Sequence, residues 1–222
     1  MTLPFQPPIE PMLAKLTPEI PAGDGWHYDP KWDGFRALVF FDGHEAYLQS
    51  RDLKPLARYF PELKAQLESI LTTPLVLDGE IVIVGERGLD FDSLLMRIHP
   101  AESRVRKLAE ETPSSFVAFD LLAEGDEDLR GTPFSERRAR LERAVSSYPA
   151  PMYLTPATSD ITTARQWFEQ FEGAGLDGIV AKRADDPYKP GARAMFKIKH
   201  VRTADCVVGG FRWYKGSEGK AV

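Results

Sequence analysis

Strand-forming residues in this chain come in separated groups with amphipathic helices between them, and that arrangement most limits the fold. Leu38, Val39, Phe40 and Phe41 are strong β-formers; Asp42-Gly43 follows as a two-residue hairpin turn, and "EAYLQS" is the returning strand. The helix "PELKAQLESIL" starts with Pro61 in its first turn and lines up Leu63, Leu67 and Ile70 on one face. "LVLDGEIVIVGERG" is a β-branched run broken by Asp78-Gly79, and "FDSLLMRIH" is helical. "SSFVAFDLLAEG" and "MYLTPAT" read as strands on either side of an arginine-rich helix, "SERRARLER". "TTARQWFEQFEGAG" is an amphipathic helix that Thr162 caps, that packs through Trp167, Phe168 and Phe171, and that Gly173 or Gly175 stops. Three apolar strands follow: "DGIVAKR", "AMFKIKH" and "ADCVVGGF". Such grouping predicts an α+β fold of antiparallel sheets flanked by helices, not a regular βαβ wind.

A chain of 222 residues suffices for one large domain or a domain plus a fragment. The closing stretch, "VRTADCVVGGFRWYKGSEGKAV", opens a strand and stops in a Gly/Ser/Lys-rich turn, so a second domain is expected to begin at residue 201. Net charge is −5, which argues against a protein that coats nucleic acid. Basic residues do cluster locally, at Arg137, Arg138 and Arg140 and again in "RVRKL"; both read as solvated helix faces, with a phosphate patch as the alternative. The start, "MTLPFQPPIEPMLAKL", lacks the basic and apolar regions of a signal peptide, and no run of about 18 apolar residues predicts a membrane span. The single cysteine, Cys206, forms no internal disulfide and no Cys-based metal site, which suits a reducing, cytoplasmic setting.

Lys31 is a lone cation in "YDPKWDGFRALVF", just before Asp33-Gly34. It is either a solvated turn lysine or a nucleophile that a tight Asp-Gly turn pushes into a pocket. Taken in order, "KWDGFR", "SRD", "LDGEIVI", "FVAFDLL", "DGIVAKR" and "FKIK" resemble the motifs of the covalent nucleotidyltransferases, and within them the ATP-dependent DNA ligases. The likeness is to short bacterial ligases akin to the ligase part of end-joining repair enzymes, and it runs from about Pro11 to Phe211.

The resemblance implies a nucleotidyltransferase (ATP-grasp-like) adenylation domain over residues 1–200, with 201–222 supplying the first strand of a truncated OB-fold domain. It implies a DNA ligase in which Lys31 attacks the α-phosphorus of ATP, releases pyrophosphate and forms lysyl-AMP. The AMP then passes to the 5′-phosphate of a DNA nick. A free lysine amine is almost wholly protonated at neutral pH and is a poor nucleophile. Lys197 and Lys199, two apart on a strand and so on one face, would disfavour that second positive charge and clamp the phosphate oxygens.

By the same resemblance Arg36 faces the ribose, Phe119 stacks on adenine, Asp29 reads the adenine amino group and Lys182 assists on the phosphates. Arg51 binds the 5′-phosphate at the nick. Glu80, a carboxylate entering an apolar strand where it is costly unless paired, contacts the ribose hydroxyls or a metal. Asp177 stands where the family commonly has glutamate; being one methylene shorter, it needs a closer backbone or a bridging water to reach a metal. The implied cofactors are ATP and Mg²⁺ or Mn²⁺. The implied partners are nicked double-stranded DNA and end-joining repair proteins, with no membrane and a monomeric state.

Only 30 residues precede Lys31, too few for the nicotinamide-recognition domain of NAD-dependent ligases. A capping guanylyltransferase typically ends its fifth motif in Trp-Lys-Pro, whereas here it reads Phe196-Lys197-Ile198-Lys199. An RNA ligase shares the lysine chemistry and stays open. So does a nucleotide- or DNA-binding module that is inactive without its OB domain.

Overall fold

Ala37, Val39 and Phe41 point to one side of their strand and Leu38 and Phe40 to the other, and all five are buried. A strand covered on both faces needs layers above and below it. The computed structural model describes residues 3–86, 88–170, 175–200, 207 and 209–210. In chain order the elements are β1 (Leu13–Leu16), β2 (Trp26–Pro30), β3 (Phe35–Phe41), β4 (Ala46–Ser50), α1 (Pro61–Ile70) and β5 (Leu75–Val82). The short β6 (Val84–Gly85) and β7 (Gly88–Leu89), then α2 (Phe91–Met96), α3 (Glu102–Glu111), β8 (Ser115–Glu124) and β9 (Glu127–Asp128), lead to α4 (Phe134–Val145). Last come β10 (Met152–Leu154), α5 (Ile161–Gln170), β11 (Ile179–Arg183) and β12 (Arg193–Ile198).

Two main sheets result. One has the order β10-β8-β5-β3-β4, with β9 pairing β8; the other has the order β1-β12-β11-β2. Strand alternation sorts the apolar residues into three layers. Ala37, Val39 and Phe41 join Leu75, Leu77, Phe116 and Leu121 on the outer face of the larger sheet, against Leu63 and Leu67 of α1 and Leu141 and Val145 of α4. Leu38, Phe40, Val76 and Leu122 on its inner face meet Met195 and Val180 of the smaller sheet, with Tyr188 between. On the far face of the smaller sheet, Tyr28, Ile179, Ala181 and Ile198 pack against Ala164, Trp167 and Phe168 of α5.

The α+β class holds, but the sheets are mixed. β1 runs parallel to β12, and β10 parallel to β8, each at a sheet edge. The expected turn at Asp78-Gly79 is instead the middle of the continuous strand β5. The glycine serves a close approach: a Cβ on Gly79 would overlap the Phe116 ring and the Val117 carbonyl of β8. The β3–β4 connection has four residues, not two, with Asp42 Oδ1 accepting from the amides of His44 and Glu45, both at 2.9 Å. Helix α5 is capped by Asp160, which accepts from the Thr162 and Thr163 amides, and not by Thr162. Phe171, Gly173 and the strand expected over 204–211 (apart from residues 207, 209 and 210) fall outside the described residues, as does most of the second domain expected from 201.

The arginine-rich helix departs most from expectation. Arg137 and Arg138 of α4 are buried. Arg137 makes a two-pronged contact with Asp120 at 2.8 and 3.0 Å and also donates to the carbonyls of Thr132 and Asp186. Arg138 binds Glu142 and the Thr155 carbonyl, and Arg140 is engaged by Glu127. These charges lock the helix to β8 and its surroundings and leave no phosphate patch. The "RVRKL" segment on α3 is solvated, with Arg106 and Lys107 paired to Glu102 and Glu111 of their own helix. Among the described residues no helix is long and apolar enough to cross a membrane.

Gly79→Ala tests the close approach of β5 and β8. The added methyl should cost about 1–3 kcal/mol as overpacking and lower the urea midpoint. An unchanged midpoint would show that the strands can separate without cost.

Candidate active site

Between the two sheets lies a cleft, and alternation decides what faces it. From the smaller sheet come Leu13, Ala14, Asp29, Val180, Lys182, Arg193, Met195 and Lys197; from the larger come Arg36, Glu80 and Phe119. Lys31 and Trp32 line it from the crossover between β2 of one sheet and β3 of the other, and Arg51 from the loop after β4. Nine of the ten residues singled out from the sequence border this cleft. The tenth, Lys199, follows the end of β12 and reaches the same corner through Asp177.

Lys31 is held by backbone pairing across the crossover: its amide donates to Gly178 O at 2.8 Å, and its carbonyl accepts from the Asp177 amide at 2.9 Å. Gly178 has φ +134°, and a Cβ there would overlap the Ile198 carbonyl, so only glycine lets β12 pass this close. Gly34 also serves proximity: a Cβ would run into the Ile81 carbonyl of β5, beside Glu80. The Asp-Gly dipeptides around the lysine therefore let three chain segments crowd together, beyond any role in turning the chain.

Asp177 Oδ2 lies 2.9 Å from Lys31 Nζ and also pairs with Lys199. Burial raises this carboxyl, but hydrogen bonds from Lys199 and Lys31 outweigh it and hold it below the usual carboxylate value. The expected metal-facing carboxylate is thus committed to two ammonium groups. Nor does Lys199 face Lys31 directly, because Asp177 stands between them. Lys197 feels the crowding: burial, then Lys199, Lys31, Arg51 and Arg193 push its ammonium below the ordinary lysine value.

On the other wall Arg36 donates to both oxygens of Asp78, at 2.9 and 2.6 Å. Glu80 has no ion-pair partner within reach among the described residues. Burial pushes its carboxyl up to about 7, with Arg36 and Lys31 countering and Asp78 and Asp33 adding to the rise. Phe119 belongs to none of the three apolar layers. It is the extra residue of a β-bulge, since Gly79 pairs with Ala118 while Asp78 pairs with Asp120. Bulges re-aim side chains in this way. Arg36 Cζ is 5.1 Å from the Phe119 ring centre and Lys182 Nζ is 4.9 Å from it.

Lys182 is buried, 2.5 Å from Asp29, and donates to the Phe119 carbonyl at 3.2 Å. Its charge is taken up by Asp29, so its place in the site is beside the aromatic ring. Asp29 is buried too, and neither of its oxygens accepts a well-directed hydrogen bond. Among the described residues no three His, Cys, Asp or Glu side chains come together as a metal cage.

Sequence reasoning missed four participants. Asp78 lies on the same strand face as Val76 and Glu80, a pattern readable once β5 is taken as unbroken. Arg193 shares the period-two face of Met195 and Lys197. Trp32, whose Nε1 donates to Thr155 Oγ1 at 2.8 Å, and Tyr188, bonded to Asp78 at 2.7 Å, gave no local signal.

Comparison with known proteins gives a consistent result. The family described as the ATP dependent DNA ligase domain matches residues 11–199. DNA ligase C of Mycobacterium tuberculosis is 55% identical over 219 residues, covering 97% of this chain and 61% of that protein. DNA ligase C2 of Mycolicibacterium smegmatis is 55% identical over 215 residues, covering 97% and 60%. The chain therefore spans about three fifths of the length of these relatives. Among solved structures, the ligase domain from M. tuberculosis LigD superposes with a TM-score of 0.68 at 29% identity, over 86% of this chain and 60% of that one. A mycobacterial DNA ligase D complexed with ATP and MES gives 0.67 at 28% identity, with the same coverage.

Glu80 yields a pH prediction. A raised carboxyl binds its proton more tightly in the folded chain than in the unfolded one, so its contribution to stability falls as pH rises from about 4.5 through about 7. In nucleotide-free, chelator-treated protein, Glu80→Gln should raise the thermal midpoint at pH 8 and change it little at pH 5. An equal shift at both pH values would refute the burial of an uncompensated carboxylate here.

Proposed function

The chain belongs to the ATP-dependent DNA ligase family, and from that premise we propose that it performs the first step of ligation, the transfer of AMP from ATP to Lys31. The observation that carries this reading is the convergence on one cleft of Lys31, an aromatic ring outside the core (Phe119) and a cluster of cations. The neutral amine of Lys31 attacks the α-phosphorus; the N–P bond forms as the bond to the bridging oxygen breaks, and pyrophosphate leaves. Asp177 Oδ2, 2.9 Å from Nζ, supports the departure of the lysine proton. Lys197 and Lys199 stabilise the charge that builds on the phosphate oxygens.

Adenine stacks on Phe119, Asp29 accepts from its amino group, and Arg36, steadied by Asp78, faces the ribose. The unsatisfied oxygens of Asp29 support that assignment. Lys182 holds Asp29 and the Phe119 carbonyl in place for the base. Mg²⁺ or Mn²⁺ arriving with the nucleotide supplies charge neutralisation on the phosphates. Glu80 is this chain's one free carboxylate donor to it among the described residues lining the cleft, which suits an ion bound through one or two carboxylates plus phosphates. Asp177 can join only by exchanging an ammonium partner.

The later steps, with Arg51 on the 5′-phosphate of nicked duplex DNA, belong to the same proposal, as do repair by end joining, a monomeric state and a cytoplasmic bacterial setting. The family match ends at residue 199, which supports an adenylation domain of about 1–200 and an OB-fold beginning in 201–222.

With α-labelled ATP the wild-type chain should take up label and gain the mass of one AMP, and Lys31→Arg should take up none, because guanidinium keeps its proton. Label persisting in the variant would overturn the assignment of the nucleophile, whereas reversible binding alone by the wild type would make the chain a nucleotide-binding module. Phe119→Ala should weaken ATP binding by about 1–3 kcal/mol, the range for base–aromatic stacking, as read by calorimetry. Unchanged affinity would remove the ring from the adenine site.

A further inference from the structure

Most cations at the cleft are matched. Arg36 is held by Asp78 and Lys182 by Asp29, while Lys31 and Lys199 share Asp177. Arg51, Arg193 and Lys197 also line the cleft, and among the described residues none of them makes an ion pair with a carboxylate. Motif resemblance accounts for Arg51 and Lys197 but assigns nothing to Arg193.

Arg193 opens β12 four residues before Lys197, so the two stand on one strand face with Met195 between them. Its backbone is fixed by the pairing of β12 with β1, where it lies opposite Leu13, another cleft residue. Its side chain is exposed and free to turn toward a ligand. The three unmatched cations are close enough to act on each other, since Arg51 and Arg193 both disfavour the charge on Lys197. A chain of net charge −5 that gathers unmatched positive charge at one opening keeps it there against mutual repulsion, and a bound polyanion relieves that repulsion.

We propose that Arg193 is a phosphate-binding residue, completing with Arg51 and Lys197 a three-cation rim that takes a phosphate group beyond the one held at Lys31. The inference rests on the adenylation reading only for where the α-phosphate lies. Arginine suits the task because its planar fork can bind two phosphate oxygens at once. The phosphate belongs either to the β,γ tail of the nucleotide or to the DNA backbone at a nick; the recognition chemistry is the same.

The test compares wild-type chain, Arg193→Ala and Arg193→Lys with two probes. Inorganic pyrophosphate, titrated by calorimetry, needs no reaction at Lys31. A nicked duplex with a 5′-phosphate is titrated at several salt concentrations. Arg193→Ala should weaken at least one probe roughly tenfold, as expected for a hydrogen bond to a charged group. Arg193→Lys should recover part of the loss, and the thermal midpoint should stay put because the side chain is exposed. Loss on pyrophosphate identifies the nucleotide tail. Loss on the duplex, with a salt slope shallower by about one, identifies a DNA phosphate. Unchanged affinity for both probes in Arg193→Ala overturns the proposal, and so does a wild-type chain that binds neither. If pyrophosphate binding depends on Arg193 while Lys31 takes up no label, the phosphate site stands and the adenylation reading falls.

Discussion

Asp78 brings a carboxylate into the full interior of the protein, where an unpaired one would cost several kcal/mol. Its partners come from three other segments. Arg36 of β3 grips both oxygens, and the Tyr188 hydroxyl, from the loop between β11 and β12, donates to one of them at 2.7 Å. Tyr188 in turn accepts from the Met12 amide at 2.9 Å, just ahead of β1. One buried group therefore ties β5 and β3 of the larger sheet to the segments that begin β1 and β12 of the smaller. The cleft walls are the inner faces of those two sheets, so their separation depends on this network. It also holds Arg36 within 5.1 Å of the centre of the Phe119 ring.

The site's second constraint is steric. Lys31 stands where the chain leaves one sheet for the other, and backbone hydrogen bonds to Gly178 and Asp177 pin it there. Gly34 and Gly178 admit neighbouring strands at distances no side chain tolerates. Charge is then sorted by depth. Pairs that serve the fold, Arg137 with Asp120 and Arg97 with Glu62, are dry and complete. Pairs at the back of the cleft, such as Lys182 with Asp29, orient the residues around the aromatic ring. At the mouth the cations are left unmatched, and there anionic ligands can compete for them.

Much of this was legible in the chain alone. The β-branched runs, the face of α1 and the apolar side of α5 depend on periods of two and 3.6, which are local properties of the sequence. The six motifs singled out the residues of the cleft because each pairs a chemically distinctive side chain with a neighbouring strand pattern. Reading went wrong where one residue type serves two physical ends. Asp-Gly signals a turn when taken locally, yet at Asp78-Gly79 the glycine makes room for Phe116 and the aspartate anchors a buried network. A run of arginines signals a solvated face, yet Arg137 finds Asp120, 17 residues earlier in the sequence, and is buried with it.

The sequence by itself determined the element types, the α+β class, the family and which side chains carry the chemistry, because these follow from short-range pattern and residue identity. Only the tertiary structure decided the parallel edge strands, the bulge that turns Phe119 out of the core, the capture of Asp177 by two lysines and the exposure of Arg193 beside Lys197. The physical reason is common to all four. Each depends on distances between segments far apart in the chain, and those distances exist only once the two sheets have closed on each other.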